Sequence, residues 1–430
     1  MQIAVLFGVF LVTVFIGVPI GYSIALATLV TLASFTTTSL SMVTQSCVTG
    51  VNSFSLMAIP FFILAGNLMS TGGVAKRIVG FADTCMGWVT GGLSLVTTAA
   101  CMFFAAISGS AMATCSAIGS IMIPEMENKS YPRPFSAALA ASAGSIGVII
   151  PPSVPFVIYG VVTGTSIGDM FVAGFVPGIM MGVALMIACV IMSKKYGFQG
   201  ASSKPTLRDI WVSFKDAFWA LMTPVIILGG IYAGIFTPTE AAVVAVVYSI
   251  FASVVIYREM SLKQLYEALV ESVRLNGAIV FMVGTATAFA SFLSLKQIPT
   301  MVALFLTGLT DNPILLMLII NVFLLFVGCL MDNIPATIIL APILLPVALE
   351  CGLSAVQFGV VLTMNLAIGF VTPPYGSNLF VATSISGVKM EAMLKYVLWF
   401  IAALLIVLML TTYVPFFTDG MVSFVTSLNA

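Results

Sequence analysis

The chain contains no histidine. That absence removes HExxH metalloprotease chemistry, serine–histidine triads and histidine proton relays together. Charge is scarce as well: 7% of the 430 residues are charged, 15 basic and 15 acidic, for a formal net charge of +0, against about 25% charged in soluble domains. No basic excess is on offer to nucleic acid, and no nucleic-acid partner is expected. The cysteines Cys47, Cys85, Cys101, Cys115, Cys189, Cys329 and Cys351 form no CxxC pair, which reads as small buried hydrophobes. No GxxxxGK[ST] stretch exists to cradle ATP, and no enzymatic constellation stands out.

What the chain does have is apolar length: 60% hydrophobic residues and a mean hydropathy of +1.19. Runs near 2–34, 86–107, 170–192, 219–257 and 391–414 are each long enough to cross about 30 Å of hydrocarbon. With the shorter runs between them they predict an all-α polytopic membrane protein of roughly ten or more membrane segments. A β-barrel would instead show weak alternating strands. The opening "MQIAVLFGVFLVTVF" has neither a basic n-region nor a small-residue cleavage site, so it reads as a first span. Lys194, Lys195, Lys204, Arg208 and Lys215 share one short polar stretch, which the positive-inside rule assigns to the cytoplasm. The first residues and the tail from Tyr413 lack Lys and Arg, so both termini are expected in the periplasm. Each half then crosses an odd number of times, giving two inverted halves, 1–193 and 217–430, joined by a cytoplasmic connection over 194–216.

Three prolines interrupt one of the most apolar stretches, "GVIIPPSVPF" at 147–156, and "AIGFVTPPYGSN" at 367–378 repeats the pattern. Gly147 and Gly369, Pro151 and Pro373, and Pro152 and Pro374 are all 222 residues apart, as are Pro124 and Pro346, Phe104 and Phe326, and Ile146 and Ile368. The same offset lays "ISGSAMAT" over "CLMDNIPA". Proline removes an amide donor and clashes with the preceding turn, so each Pro-Pro ends one short helix and starts another. The freed carbonyls are tolerated in a membrane only where protein buries them or a polar cavity meets them. Matched broken segments in two halves point to the site of a secondary transporter. Around the first break lie Ser108, Ser110, Thr114, Ser142, Ser145 and Ser153; around the second lie Asp332, Asn333, Thr337, Thr363, Asn365 and Thr372. Asp332 is a lone carboxylate between apolar runs, a site candidate by default. This oxygen-rich set suits a hard cation with a polar or anionic solute, and cation-coupled symport would meet an anion's charge without gathered arginines.

Other polar signals read as scaffold. "TPTEAAVV" from Thr237 is a capping box, and "SLKQLYEALVESVR", 261–274, predicts an amphipathic helix lying in the cytoplasmic interface. Residues 72–83 and 296–305 predict shorter arms of the same kind, framing a moving domain without touching substrate.

"IPFFILAGNLMSTGG", "SGSAMAT", "GVIIPPS", "GIFTPTEAA" and the late "MDN…TPPYG" pair together resemble the large membrane subunit of tripartite ATP-independent periplasmic (TRAP) transporters, over essentially the whole chain, and most of all the subunits of sialic acid systems. The resemblance implies an importer in the bacterial inner membrane, driven by at least two co-transported Na⁺ and no ATP. Its transport domain would move like an elevator against a scaffold and be built from inverted repeats with re-entrant hairpins and discontinuous helices. The implied partners are a small four-helix (Q-type) membrane subunit, a periplasmic substrate-binding protein, an organic acid such as N-acetylneuraminate or a C4-dicarboxylate, and membrane lipid. Carried over by position, one sodium site would use backbone oxygens around Ser108, Gly147, Ile150 and Pro152, a second those around Gly328, Gly369, Thr372 and Tyr375. Substrate would lie near Ser108, Ser110, Ser153, Asp332 and Asn333. The residues also admit a sodium-coupled anion carrier working alone. A passive channel would gather identical segments around an axis, and an aspartyl intramembrane protease needs two facing Asp residues where one is found.

Overall fold

The computed structural model describes residues 2–35, 39–198, 204–308 and 310–429, and among them every regular element is helical. The first half runs α1 (Gln2–Phe15), α2 (Ile20–Phe35), α3 (Ser41–Val51), α4 (Ala58–Thr71), α5 (Val74–Met86), α6 (Gly92–Ser108), α7 (Ala111–Asn128), α8 (Arg133–Gly144), α9 (Val154–Thr163) and α10 (Ile167–Tyr196). The second runs α11 (Leu207–Tyr232), α12 (Pro238–Ile250), α13 (Leu262–Leu295), α14 (Ile298–Thr307), α15 (Pro313–Gly328), α16 (Asn333–Glu350), α17 (Ala355–Gly369), α18 (Ser377–Ser386), α19 (Met390–Tyr413) and the tail helix α20 (Asp419–Asn429). Among the described residues seven helical segments are long and apolar enough to cross a membrane, and six more apolar helices are shorter. The shorter ones include one arm of each hairpin and a segment of each broken helix, which is why apolar runs in the sequence outnumber full spans.

The offset of 222 governs the helices as well as the motifs. Adding it to α6 (92–108) and α7 (111–128) gives 314–330 and 333–350, beside the observed α15 at 313–328 and α16 at 333–350. Both pairs fold as helical hairpins with tips at Ser108–Ser110 and Cys329–Asp332. The largest departure is α13. Shifted by 222, α3 and α4 span 263–293, and the second half covers that range with one continuous helix of 34 residues. In the first half Asn52 and Ser53 leave the helical region, and both are residue types that favour caps and turns over helix interiors. Arg274 and Leu275 stand at the equivalent positions, and these are good helix formers. The segment 261–274 is therefore the first part of α13 rather than a separate interfacial helix.

Two of the apolar runs divide. The run 2–34 turns at Gly17, whose φ of 92° suits glycine, and α1 packs along α2. The run 219–257 turns at Gly234, after which Thr237 and Glu240 close the expected capping box. The polar connection is shorter than 194–216: α10 continues to Tyr196 and α11 starts at Leu207, capped by Thr206 with Asp209. Residues 199–203 of it lie outside the described residues.

Helices α1–α4 and α11–α13 pack into one group, with α4 against α12 and α13 against α2, α3 and α4. Helices α6–α10 and α15–α19 form a second. Each hairpin packs on the broken helix of its own half and on one segment of the other: α7 on α18, and α16 on α9. The two breaks are thereby drawn to the middle of the second group.

Candidate functional site

Both Pro-Pro bonds are cis, and each break meets a hairpin tip. At the first, a Cβ added to Gly147 would lie 2.5 Å from the Ser110 carbonyl oxygen and 2.6 Å from Thr114 Oγ1, and one on Gly109 would lie 2.6 Å from the Pro152 carbonyl oxygen. Only glycine permits this approach. Ser108 Oγ and Thr114 Oγ1 are 2.8 Å apart, and Thr114 Oγ1 donates to the Ser110 carbonyl at 2.8 Å. Ser108, Gly147 and Pro152 of the expected set thus lie together, with Ser110 and Thr114 beside them. The Ile150 side chain packs on Gly178 of α10, which leaves the expectation for its backbone oxygen untouched.

At the second break a Cβ on Gly369 would fall on the backbone of Gly328. The Tyr375 N–H donates to the Cys329 carbonyl at 3.1 Å, and Thr372 Oγ1 donates to the Ile368 carbonyl at 2.8 Å. Gly328, Gly369 and Tyr375 therefore form a second tip-to-break contact, and Thr372 lies beside it, bonded back to its own helix. Among the described residues no three His, Cys, Asp or Glu side chains gather as a metal-ligand set. A cation here would rest on carbonyl and hydroxyl oxygens, the donor type that hard alkali ions take.

Between the tips lies a cavity of about 510 Å³, lined by Ser108, Ser110, Asp332 and Asn333 and, from beside the breaks, Val148 and Phe370. Asp332 caps α16, and its carboxylate accepts the Asn333 N–H at 2.8 Å. The Asn333 amide is already engaged: its oxygen accepts from Thr337 at 2.9 Å and its nitrogen donates to the Thr363 carbonyl at 3.4 Å. Ser153 does not reach the cavity wall. Its hydroxyl donates to the Val148 carbonyl at 2.6 Å and accepts the Phe156 N–H at 3.4 Å, the work of an N-cap on α9.

The opposite wall was not visible as a site in the sequence. Asn67, Ser70 and Thr71 from the last turns of α4, and Gln264, Glu267 and Glu271 from the first turns of α13, line the same cavity. Of the segment's apolar stripe, Leu262, Tyr266, Leu269 and Val273 face outward and Leu265 is half-buried against Leu68 and Ala268, while Gln264, Glu267 and Glu271 line the cavity. Nearby, Arg77 of α5 pairs with Glu259 at 2.8 Å and Asp216 at 3.5 Å, and its guanidinium lies 3.8 Å from the centre of the Tyr257 ring. This clamp ties the α4–α5 and α12–α13 junctions to the end of the basic stretch.

Over residues 7–417 the chain matches the family described as tripartite ATP-independent periplasmic transporter, DctM component. It is 45% identical, over 96% of its length, to the isethionate TRAP transporter permease protein DctMQ of Oleidesulfovibrio alaskensis, of which it spans 65%. It is 41% identical to the C4-dicarboxylate TRAP transporter large permease protein DctM of Pseudomonas aeruginosa, covering 84% of either chain. With the sialic acid TRAP transporter large permease protein SiaM of Vibrio cholerae it shares 38% identity over 94% of both. The solved structure of the Alcanivorax borkumensis YdaH transporter superposes with a TM-score of 0.64 over 89% of this chain and 90% of that one. At 12% identity that likeness is one of fold alone.

Proposed function

The chain belongs to the DctM component family of tripartite ATP-independent periplasmic transporters, and we propose that it is the large membrane subunit of a sodium-coupled importer of an organic acid. One observation carries the reading: two glycine-lined tip-to-break contacts, rich in oxygen, flank a cavity that holds the intramembrane carboxylate Asp332. Sodium would enter at Ser108, Ser110, Thr114 and Gly147 and at Gly328, Gly369 and Thr372, with the organic acid between them. No basic side chain lines the cavity among the described residues, so bound cations would supply the positive charge that holds an anion. Two Na⁺ entering with one monoanion carry one net charge inward, worth roughly 2.3 kcal/mol per 100 mV. That supports about 40-fold accumulation before the sodium concentration gradient is counted.

In this reading α6–α10 and α15–α19 move as a carrier against α1–α4 and α11–α13, and the halves are inverted in the membrane. The positive-inside rule places Lys194 to Lys215 in the cytoplasm of a bacterial inner membrane, with both termini periplasmic. Arg77 of α5, beside the cavity's α4–α13 wall, pairs with Asp216 at the end of the basic stretch, which supports a cavity that opens toward the cytoplasm. Partners would be a small four-helix membrane subunit and a periplasmic binding protein that delivers the acid. N-acetylneuraminate is the substrate the sequence likeness suggests, and the relatives named above add isethionate and C4-dicarboxylates.

The test is uptake of labelled N-acetylneuraminate, isethionate and succinate into proteoliposomes, by this chain alone and with both partners, with and without an inward sodium gradient. Uptake of one of them that needs sodium and all three components is the expected result. Uptake by the chain alone would favour a single-component carrier, and sodium-independent uptake would remove the coupling.

A further inference from the structure

Each Pro-Pro strips partners from the carbonyls before it. In a continuing helix the Phe370 carbonyl would take an amide from residue 373 or 374, and both are prolines without one. The Asn378 N–H donates to it instead, at 3.1 Å. At the first break the equivalent carbonyl, that of Val148, takes the Ser153 hydroxyl of its own half. The Ala141 carbonyl, in the last turn of α8, is freed as well, because the Ser145 N–H that would reach it in a continuing helix donates to Ser142. Asn378 supplies that partner too: its Nδ2 donates to the Ala141 carbonyl at 3.0 Å. One residue of the second half thus satisfies a carbonyl freed at each break. The position 222 residues earlier is Phe156, whose ring lies against Gly174 of α10 in its own half, so the reach across is not repeated.

This link is not explained by stability. Asn378 is fully buried, and its amide oxygen has no hydrogen-bond partner; a buried oxygen left unmatched offsets what the amide nitrogen gains. The packing around it is close. The Cys115 thiol of α7 donates to the Asn378 carbonyl at 3.7 Å, and a Cβ on Gly144 would lie 2.7 Å from that of Cys115. Cys115 follows Thr114, and Gly144 precedes the turn that presents Gly147. Asn378 therefore bonds to both the hairpin and the broken helix of the first contact while it holds the second.

We infer that Asn378 is a positioning residue that couples the two breaks, so that sodium bound at either raises the affinity of the other. This rests on the sodium-coupled importer reading and names how its ions act together. Sodium at the second break fixes the turn from Gly369 to Gly376, and with it the Asn378 amide. That amide holds the end of α8, which sets Gly147 against Ser110. Linkage makes the effect reciprocal, so an ion at the first break tightens the second by the same factor. Ions that bind together also leave together, which keeps a half-loaded carrier rare.

Direct binding tests it. Labelled sodium is titrated onto the purified complete complex at constant ionic strength, with choline chloride making up the difference, and the number of ions bound is read together with the Hill coefficient. Wild type should bind at least two ions with a Hill coefficient clearly above one. Asn378→Ala and the near-isosteric Asn378→Leu both remove the donor to Ala141. Each should bind as many ions as wild type, with a Hill coefficient near one and a half-saturating concentration raised about fivefold. Cooperativity unchanged in either folded variant would overturn the inference, as would a Hill coefficient of one in wild type. Loss of an ion from either variant would also overturn it, by making Asn378 a ligand rather than a link, and so would failure of both to insert, by making it a packing residue. A wild type that binds one ion or none would instead remove the sodium reading on which the inference rests, a result read before any variant is compared.

Discussion

The two breaks share a register and a Gly-x-x-x-Pro-Pro core, yet they are held in different ways. At the first, residues 145–153 are all buried, and Ser153 caps the helix that follows. Gly174 and Gly178 of α10 let that helix close on it, since a Cβ on either would strike Phe156 or Ile150. Adding 222 gives Tyr396 and Phe400 on α19, whose rings pack on Phe135 of α8 with centroids 5.5 and 6.0 Å away. The second break is correspondingly open: Pro374 and Tyr375 are exposed, and α18 starts at Gly376 without a side-chain cap. Its hairpin is fastened by polar contacts instead. Asn365 of α17 donates to Asn321 of α15 at 2.9 Å, and Asn321 to Thr412 of α19 at 3.1 Å, where the first half has Ala99, Ala143 and Val190. One break is set by close packing and the other by contact with its hairpin, so sodium at the second, in the proposed reading, would depend more on the tip staying docked.

The comparison can be broken most severely at Gly369. Gly369→Ala places a methyl on the Gly328 backbone, where nothing flexible can yield, and overpacking of this kind costs about 1–3 kcal/mol or more. Uptake should vanish and the melting temperature of the purified protein should fall; wild-type values in both would show that the tip does not need to approach the break. Asp332→Ala should abolish uptake while insertion stays normal and the melting temperature falls only by the loss of a helix cap, about 1 kcal/mol, because this half-buried carboxylate lines the cavity and bonds only its neighbour's N–H. Wild-type uptake rates would return it to a capping role.

Asn365→Ala leaves the buried Asn321 oxygen without its donor, a loss of about 1–3 kcal/mol. The expected reading is a lower melting temperature together with a raised half-saturating sodium concentration, and a change in stability alone would separate the ladder from the sodium site. The smallest effect is expected from Thr372→Ala, which removes one hydroxyl at the open break and should raise the half-saturating sodium concentration roughly three- to tenfold. An unchanged sodium curve would take Thr372 out of the site.

Much of this frame was legible because proline acts locally: a Pro-Pro pair interrupts a helix whatever surrounds it, and two pairs at one offset bring their hairpins with them. The fusion of α3-like and α4-like segments into α13 was less so, since it turns on Asn52 and Ser53 against Arg274 and Leu275, a difference that shows only when the halves are aligned. The α13 wall was hidden for another reason. A polar stripe on an amphipathic helix reads as facing water, and sequence does not say whether that water is bulk solvent or a cavity. Ser153 shows the converse: a hydroxyl beside a break looks like a ligand, but with Pro155 two residues on it is placed to cap α9, and it does so.

The central claim is that the two breaks carry sodium inward in excess of the anion's charge. Current recorded on a supported membrane holding the complete complex, after simultaneous addition of substrate and sodium, tests it directly. The account predicts an inward positive current that needs both solutes and grows with an inside-negative potential. Uptake with no current, or with net negative charge moving inward, would contradict it.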